Sequence, residues 1–140
     1  MMIYFREGDF KEALKCFDEA LKIRKKLITA DSTTEEFAAV ANILYKIGVT
    51  LKSLGEFDKS LQCFKQCLQV REAKLSSEHL GIAKTFNNLG VVASKLGNYP
   101  LAVQYWHKSI HAYKASGDMN EQDRVVQAIR GNIEMAERLS

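Results

Sequence analysis

The stretch Gly97-Asn98-Tyr99-Pro100-Leu101-Ala102-Val103-Gln104-Tyr105-Trp106-His107-Lys108-Ser109-Ile110 decides how the rest of the chain is read. Counted from its glycine, an aromatic stands at +2, a small residue at +5, an aliphatic at +6, an aromatic at +9, a small residue at +12 and an aliphatic at +13. The same series occurs twice upstream. After Gly8 it reads Phe10, Ala13, Leu14, Phe17, Ala20 and Leu21; after Gly55 it reads Phe57, Ser60, Leu61, Phe64, Cys67 and Leu68. Self-similarity over several tens of residues marks a stacked array of supersecondary units rather than one closed globule.

The glycines lie 47 residues apart (Gly8 to Gly55) and then 42 (Gly55 to Gly97), and each interval holds two helical patterns. Ahead of Gly97, the residues Phe86, Leu89, Gly90, Ala93 and Leu96 recur at three- and four-residue steps, which is one face of a helix. Leu44, Ile47, Gly48, Leu51 and Leu54 repeat that face ahead of Gly55. The next helix follows each glycine at once, so the two must be antiparallel neighbours. Expected helices are 9–28, 35–54, 57–75, 78–96, 99–116 and 121–139, with Pro100 accommodated in a first turn. Residues 31–36 carry overlapping Ser-x-x-Glu and Thr-x-x-Glu capping boxes, and the extra length of the first interval falls there.

The glycines have two uses. Gly55 and Gly97 stand where a helix must end in the left-handed conformation. Gly48 and Gly90 lie inside helices, where glycine costs about 1 kcal/mol against alanine; the cost is tolerated where another helix must come close. The aromatics Phe17, Phe64 and Trp106 are expected to fill the space between successive pairs, with Ala20, Cys67 and Ser109 as the small residues facing the first helices.

With 140 residues, 46% of them hydrophobic, the chain is one domain's worth of folded material. A net charge of +3 is too mild for a dedicated nucleic-acid binder and leans toward acidic partners. No run approaches the roughly 18 apolar residues of a membrane span. Three cysteines without framework spacing suit a reducing, cytoplasmic setting. No Gly-x-Ser-x-Gly, His-Glu-x-x-His or phosphate-binding glycine loop is present, so the chain reads as non-catalytic and without cofactors. Cys63 with Cys67, and His107 with His111, stand four apart, but each pair offers only two ligands against the four of a structural zinc site. No metal site is expected.

The pattern Leu89-Gly90, Gly97-Asn98-Tyr99, Ala102, Trp106 and Ser109 resembles the tetratricopeptide repeat, and the likeness covers nearly the whole chain. The long period, with Val70-Arg71-Glu72, His79 and Thr85-Phe86-Asn87-Asn88-Leu89, is similar to the kinesin light chain subclass. Leu80 departs from it where proline is usual, and Ser76 and Ser77 replace its glycine-containing loop. The Ser116-Gly117-Asp118 junction is similar to that in scaffold proteins that orient the mitotic spindle. The resemblance implies an all-α, right-handed superhelical solenoid of antiparallel helix pairs. It would be a single array over residues 1–140: a partial first repeat at 1–28, a second at 35–75, a third at 78–116 and a capping helix at 119–140. Residues 3–7 would end a first helix whose earlier turns are missing, and this half-repeat offers a surface for homodimerisation.

In this family the first helix of each pair lines a concave groove that binds peptides or protein segments. Carried onto this chain, the groove positions are Asn42, Tyr45, Val49, Lys52 and Ser53, then Lys84, Asn87, Asn88, Val91, Ser94 and Lys95, then Gln127, Arg130, Glu134, Glu137 and Arg138. Asparagine offers a donor and an acceptor to an extended backbone, and lysine and arginine suit carboxylates. The carboxylate clamp of chaperone-binding members expects lysine and asparagine where Tyr45 and Val49 stand, so an internal acidic segment is the expected ligand. Alternatives are a regulatory or oligomerisation segment of a larger signalling or motor-associated protein, and an anionic-surface or RNA binder using Lys22, Arg24, Lys25 and Lys26.

Overall fold

The computed structural model describes residues 7–76, 79–117 and 119–140, which form six α-helices with no strand among them. They are α1 (Glu7–Leu27), α2 (Thr34–Ser53), α3 (Phe57–Lys74), α4 (His79–Lys95), α5 (Tyr99–Ala115) and α6 (Arg124–Leu139). Each helix packs on the one before it, and α2 also touches α4, so the chain is an all-α solenoid of stacked pairs. Of the helix end expected at residues 3–7, residues 3–6 lie outside the described residues, as do Ser77, Glu78 and Asp118, and Glu7 instead opens α1.

Local chemistry sets the helix boundaries. The Thr33 side chain accepts from the Glu36 N–H at 3.2 Å and caps α2. Asn98 caps α5, accepting from the Leu101 N–H at 3.3 Å, with Pro100 in the first turn. At the ends of α2 and α4, Gly55 and Gly97 take φ of 77° and 82°. There the N–H of Glu56 reaches the Leu51 carbonyl and that of Asn98 reaches the Ala93 carbonyl, each at 2.9 Å. This is the six-to-one bond that closes a helix on a left-handed residue.

The recurring glycines, small residues and aromatics describe how α2 meets α3 and α4 meets α5. Phe64 is fully buried against Gly48, and Trp106, 4% exposed, lies against Gly90. Each small residue then closes on the partner helix. Cys67 Sγ donates to the Ala41 carbonyl at 3.3 Å, and Ser109 Oγ, one repeat on, donates to the Ala83 carbonyl at 2.7 Å. Ser60 Oγ donates to the Gly48 carbonyl at 2.7 Å. A small side chain brings the helix axes close, and its donor finds the spare lone pair of a buried carbonyl. Phe17, at the matching place in α1, is only half-buried.

Three expectations need correction. Leu96 does not share the buried face of α4: the helix stops at Lys95, and Leu96 is 39% exposed in the following turn. The three- and four-residue spacing of Ile129, Ile133, Ala136 and Leu139 predicts one apolar face for the last helix; the first three are buried, but Leu139 at the last helical position is 57% exposed. The sixth helix starts at Arg124 rather than 121, because Asn120, Glu121 and Gln122 form a hydrogen-bonded turn ahead of it.

Candidate functional site

The face of α2 that carries Tyr45, Val49 and Lys52 lies beside the face of α4 that carries Lys84, Asn88, Val91 and Lys95. Residues three and four apart share a helix face, so each set forms one stripe. Asn88 joins the two helices. Its Nδ2 donates to Tyr45 Oη at 2.8 Å and to the Lys84 carbonyl at 3.1 Å, while its Oδ1 accepts from Lys52 Nζ at 2.8 Å. Burial lowers the Lys52 pKa from its ordinary value, since a half-buried ammonium is less well solvated. Lys84 and Lys95 stay exposed.

Arg71 supports this face from below. Although only 7% exposed, it has three neutral acceptors and, among the described residues, no carboxylate. Nη1 donates to the Gly81 carbonyl at 2.8 Å and to Thr85 Oγ1 at 2.7 Å; Nη2 donates to Asn42 Oδ1 at 3.1 Å. The guanidinium lies 5.1 Å from the Tyr45 ring centroid, within cation–π range. Tyr45 in turn meets Phe64 edge to face at 5.6 Å. Asn42, Tyr45, Lys52 and Asn88 are thus held by one network across α2, α3 and α4. Sequence reasoning gave Arg71 no part in it. The signal was present, because Arg71 continues the buried stripe Ser60, Phe64 and Cys67 on α3.

Beside this network, Asn87 is half-buried and its Oδ1 is buried without a hydrogen-bond partner. Farther along, Val91 and Ser94 of α4 line a cavity of about 260 Å³ with Trp106 of α5 and Asn132, Met135 and Leu139 of α6. Arg130 lies apart, engaged by the turn before α6. Its Nε and Nη2 donate to the Glu121 carboxylate at 3.1 and 2.5 Å, and Lys114 bonds the same carboxylate. These two cations hold the Glu121 pKa down to about 2. The structure therefore gathers Asn42, Tyr45, Lys52, Lys84 and Asn88 around one junction, with Asn87, Val91 and Lys95 along the same helix and Arg130 on another. No helix among the described residues is long and apolar enough to cross a membrane.

A tetratricopeptide repeat family model matches residues 39–115, and another matches residues 2–27. No curated protein matches the chain. Among solved structures, BtubC (BKLC) from P. vanneervenii is similar with a TM-score of 0.77 and 19% identity, over 94% of this chain and 49% of that one. A kinesin light chain candidate from Podosopora anserina, with nearly identical TPR-like repeats, gives a TM-score of 0.75 and 13% identity, over 94% of this chain and 59% of that one. The chain thus spans about half the length of the first structure and under two thirds of the second. At these identities the likeness is one of fold, namely the long-period repeat geometry of kinesin light chain type.

Proposed function

Because the chain belongs to the tetratricopeptide repeat family, whose repeats are protein-interaction modules, we propose that it is a non-catalytic scaffold whose α2–α4 face receives an acidic peptide or protein segment. The observation that carries this reading is the charge state of that face. Lys52, Lys84, Lys95 and the buried Arg71 have no carboxylate partner among the described residues, while the ion pairs seen elsewhere, at Glu56 and Glu121, are satisfied. Cations held together without counter-charge favour an acidic ligand. Asn88 pre-organises Lys52, so less side-chain freedom is lost when a carboxylate arrives.

Selection of random peptides on the immobilised chain tests this. Enrichment of Asp- and Glu-containing peptides that lose binding in the Lys52→Met, Lys84→Ala variant is expected. Enrichment of neutral or basic peptides would contradict it. Self-association through the N-terminal half-repeat draws support from Ile23 and Leu27 of α1, 61% and 70% exposed. Light scattering should then show a dimer that Ile23→Ser, Leu27→Ser converts to monomer; a monomeric parent chain refutes that second reading.

A further inference from the structure

All three histidines of the chain line one cleft of about 500 Å³, formed by the C-terminal part of α3, the start of α4 and the second half of α5. Ile82 and Phe86 line it with apolar surface, and Glu72 is its one lining carboxylate among the described residues. His107 and His111 stand one turn apart on the same face of α5. Both are exposed, and His79, in the first turn of α4, is half-buried. None of the three rings is held by a hydrogen bond or ion pair within the described chain.

Two imidazoles at i and i+4 are a helix-borne chelate, the same spacing by which His-x-x-x-His helices hold zinc. Neutral imidazole suits zinc, nickel and copper, whereas magnesium and calcium take oxygen ligands. The cysteine pair at the same spacing is a poorer candidate, since Cys67 is buried and its thiol is bonded to the Ala41 carbonyl. From the sequence, His107 and His111 are two ligands without support. The fold supplies the support by bringing His79, 28 positions before His107, to the same cleft.

We propose that His107 and His111 chelate a divalent transition-metal ion at this cleft, with His79 turning in from α4 as the third ligand. No three His, Cys, Asp or Glu side chains among the described residues are placed to hold an ion together, so the chelate rests first on His107 and His111 and the third bond requires His79 to move. Glu72 offsets part of the ion's charge. Lys108, whose ammonium lies 5.8 Å from the Phe86 ring centroid, opposes it, so nitrogen coordination rather than charge alone must hold the ion. An ion bound in this way ties α4 to α5 and stabilises the native pair by mass action.

Calorimetric titration of the chain with nickel chloride tests the site, with the exposed Cys16 and the half-buried Cys63 replaced by serine so that their thiols do not compete. One nickel ion per chain is expected. His107→Asn and His111→Asn should each weaken binding by about tenfold or more, and His79→Asn by a smaller factor. All three histidines lie at the surface of the cleft, and unchanged circular dichroism checks that each variant folds. Absence of binding, or unchanged affinity in the His107→Asn, His111→Asn double variant, overturns the proposal. Unchanged affinity in His79→Asn overturns the third ligand.

Discussion

A methyl group on the α-carbon of Gly90 would stand 2.5 Å from Cδ1 and Nε1 of Trp106. That is well inside van der Waals contact, and Trp106 has little room to retreat at 4% exposure. The glycine inside α4 is therefore required by the approach of α5, and Gly48 has the same relation to Phe64 at 2.8 Å. Gly90→Ala should destabilise the fold by about 1–3 kcal/mol through overpacking, despite alanine's better helix propensity. Chemical denaturation followed by the fluorescence of Trp106, the chain's single tryptophan, reads this directly.

Gly131 provides the opposite case. It lies in α6, and a β-carbon there would meet nothing within 4 Å. Gly131→Ala should stabilise the chain by about 0.5–1 kcal/mol, since only the backbone entropy term changes. A destabilised Gly131→Ala variant would mean that α6 is packed differently.

Truncating either repeat aromatic leaves a hole that the close-packed pairs cannot fill. Phe64→Ala and Trp106→Ala should each cost about 3–5 kcal/mol, while Phe17→Ala should cost less because that ring is only half-buried. Melting curves unaffected by the first two substitutions would contradict their placement in the core.

How much of this could be read from the chain alone follows from the range of each interaction. The second helix of each pair was legible because the spacing from Gly97 to Ile110 is local and is written three times, and Gly48 and Gly90 were legible because the face ahead of Gly55 recurs ahead of Gly97. Periodicity carries a buried face up to and past a helix end, where Leu96 and Leu139 are in fact exposed. The candidate site was legible only as a set of helix faces. That Asn88 joins Tyr45 and Lys52 depends on the register between α2 and α4, across 43 and 36 residues of chain. Arg130 shows the same limit from the other direction: its partner Glu121 lies in a turn that periodicity had assigned to a helix.

Arg71 should be among the more sensitive polar positions. Arg71→Ala leaves Asn42 Oδ1 without its guanidinium donor and removes the cation over Tyr45. A loss of about 2–3 kcal/mol in chemical denaturation is expected. Arg71→Lys should recover only part of it, because an ammonium cannot reach three acceptors with a planar fork.

The Glu121 contact predicts a pH dependence confined to α6. Its folded pKa of about 2 lies below the ordinary 4.5, held there chiefly by the hydrogen bond from Arg130 and then by that from Lys114. A depressed carboxylate stabilises the fold above its unfolded value and loses that contribution as pH falls through the folded one. The protection of α6 amides from exchange, taken relative to the intrinsic rate at each pH, should therefore fall between about pH 4.5 and 2. In Glu121→Gln this acid-dependent change should vanish; its persistence there would assign it to another group.

The cationic face of α2 and α4 is tested most directly by the affinity of a selected acidic peptide for the parent chain and for Lys84→Ala, Lys95→Ala, across a salt series. Both lysines are exposed and make no side-chain hydrogen bond or ion pair among the described residues. The expected result is binding at least about tenfold weaker in the double variant, with a shallower dependence on salt. Equal affinity and equal salt dependence in the two proteins would contradict an acidic ligand on this face.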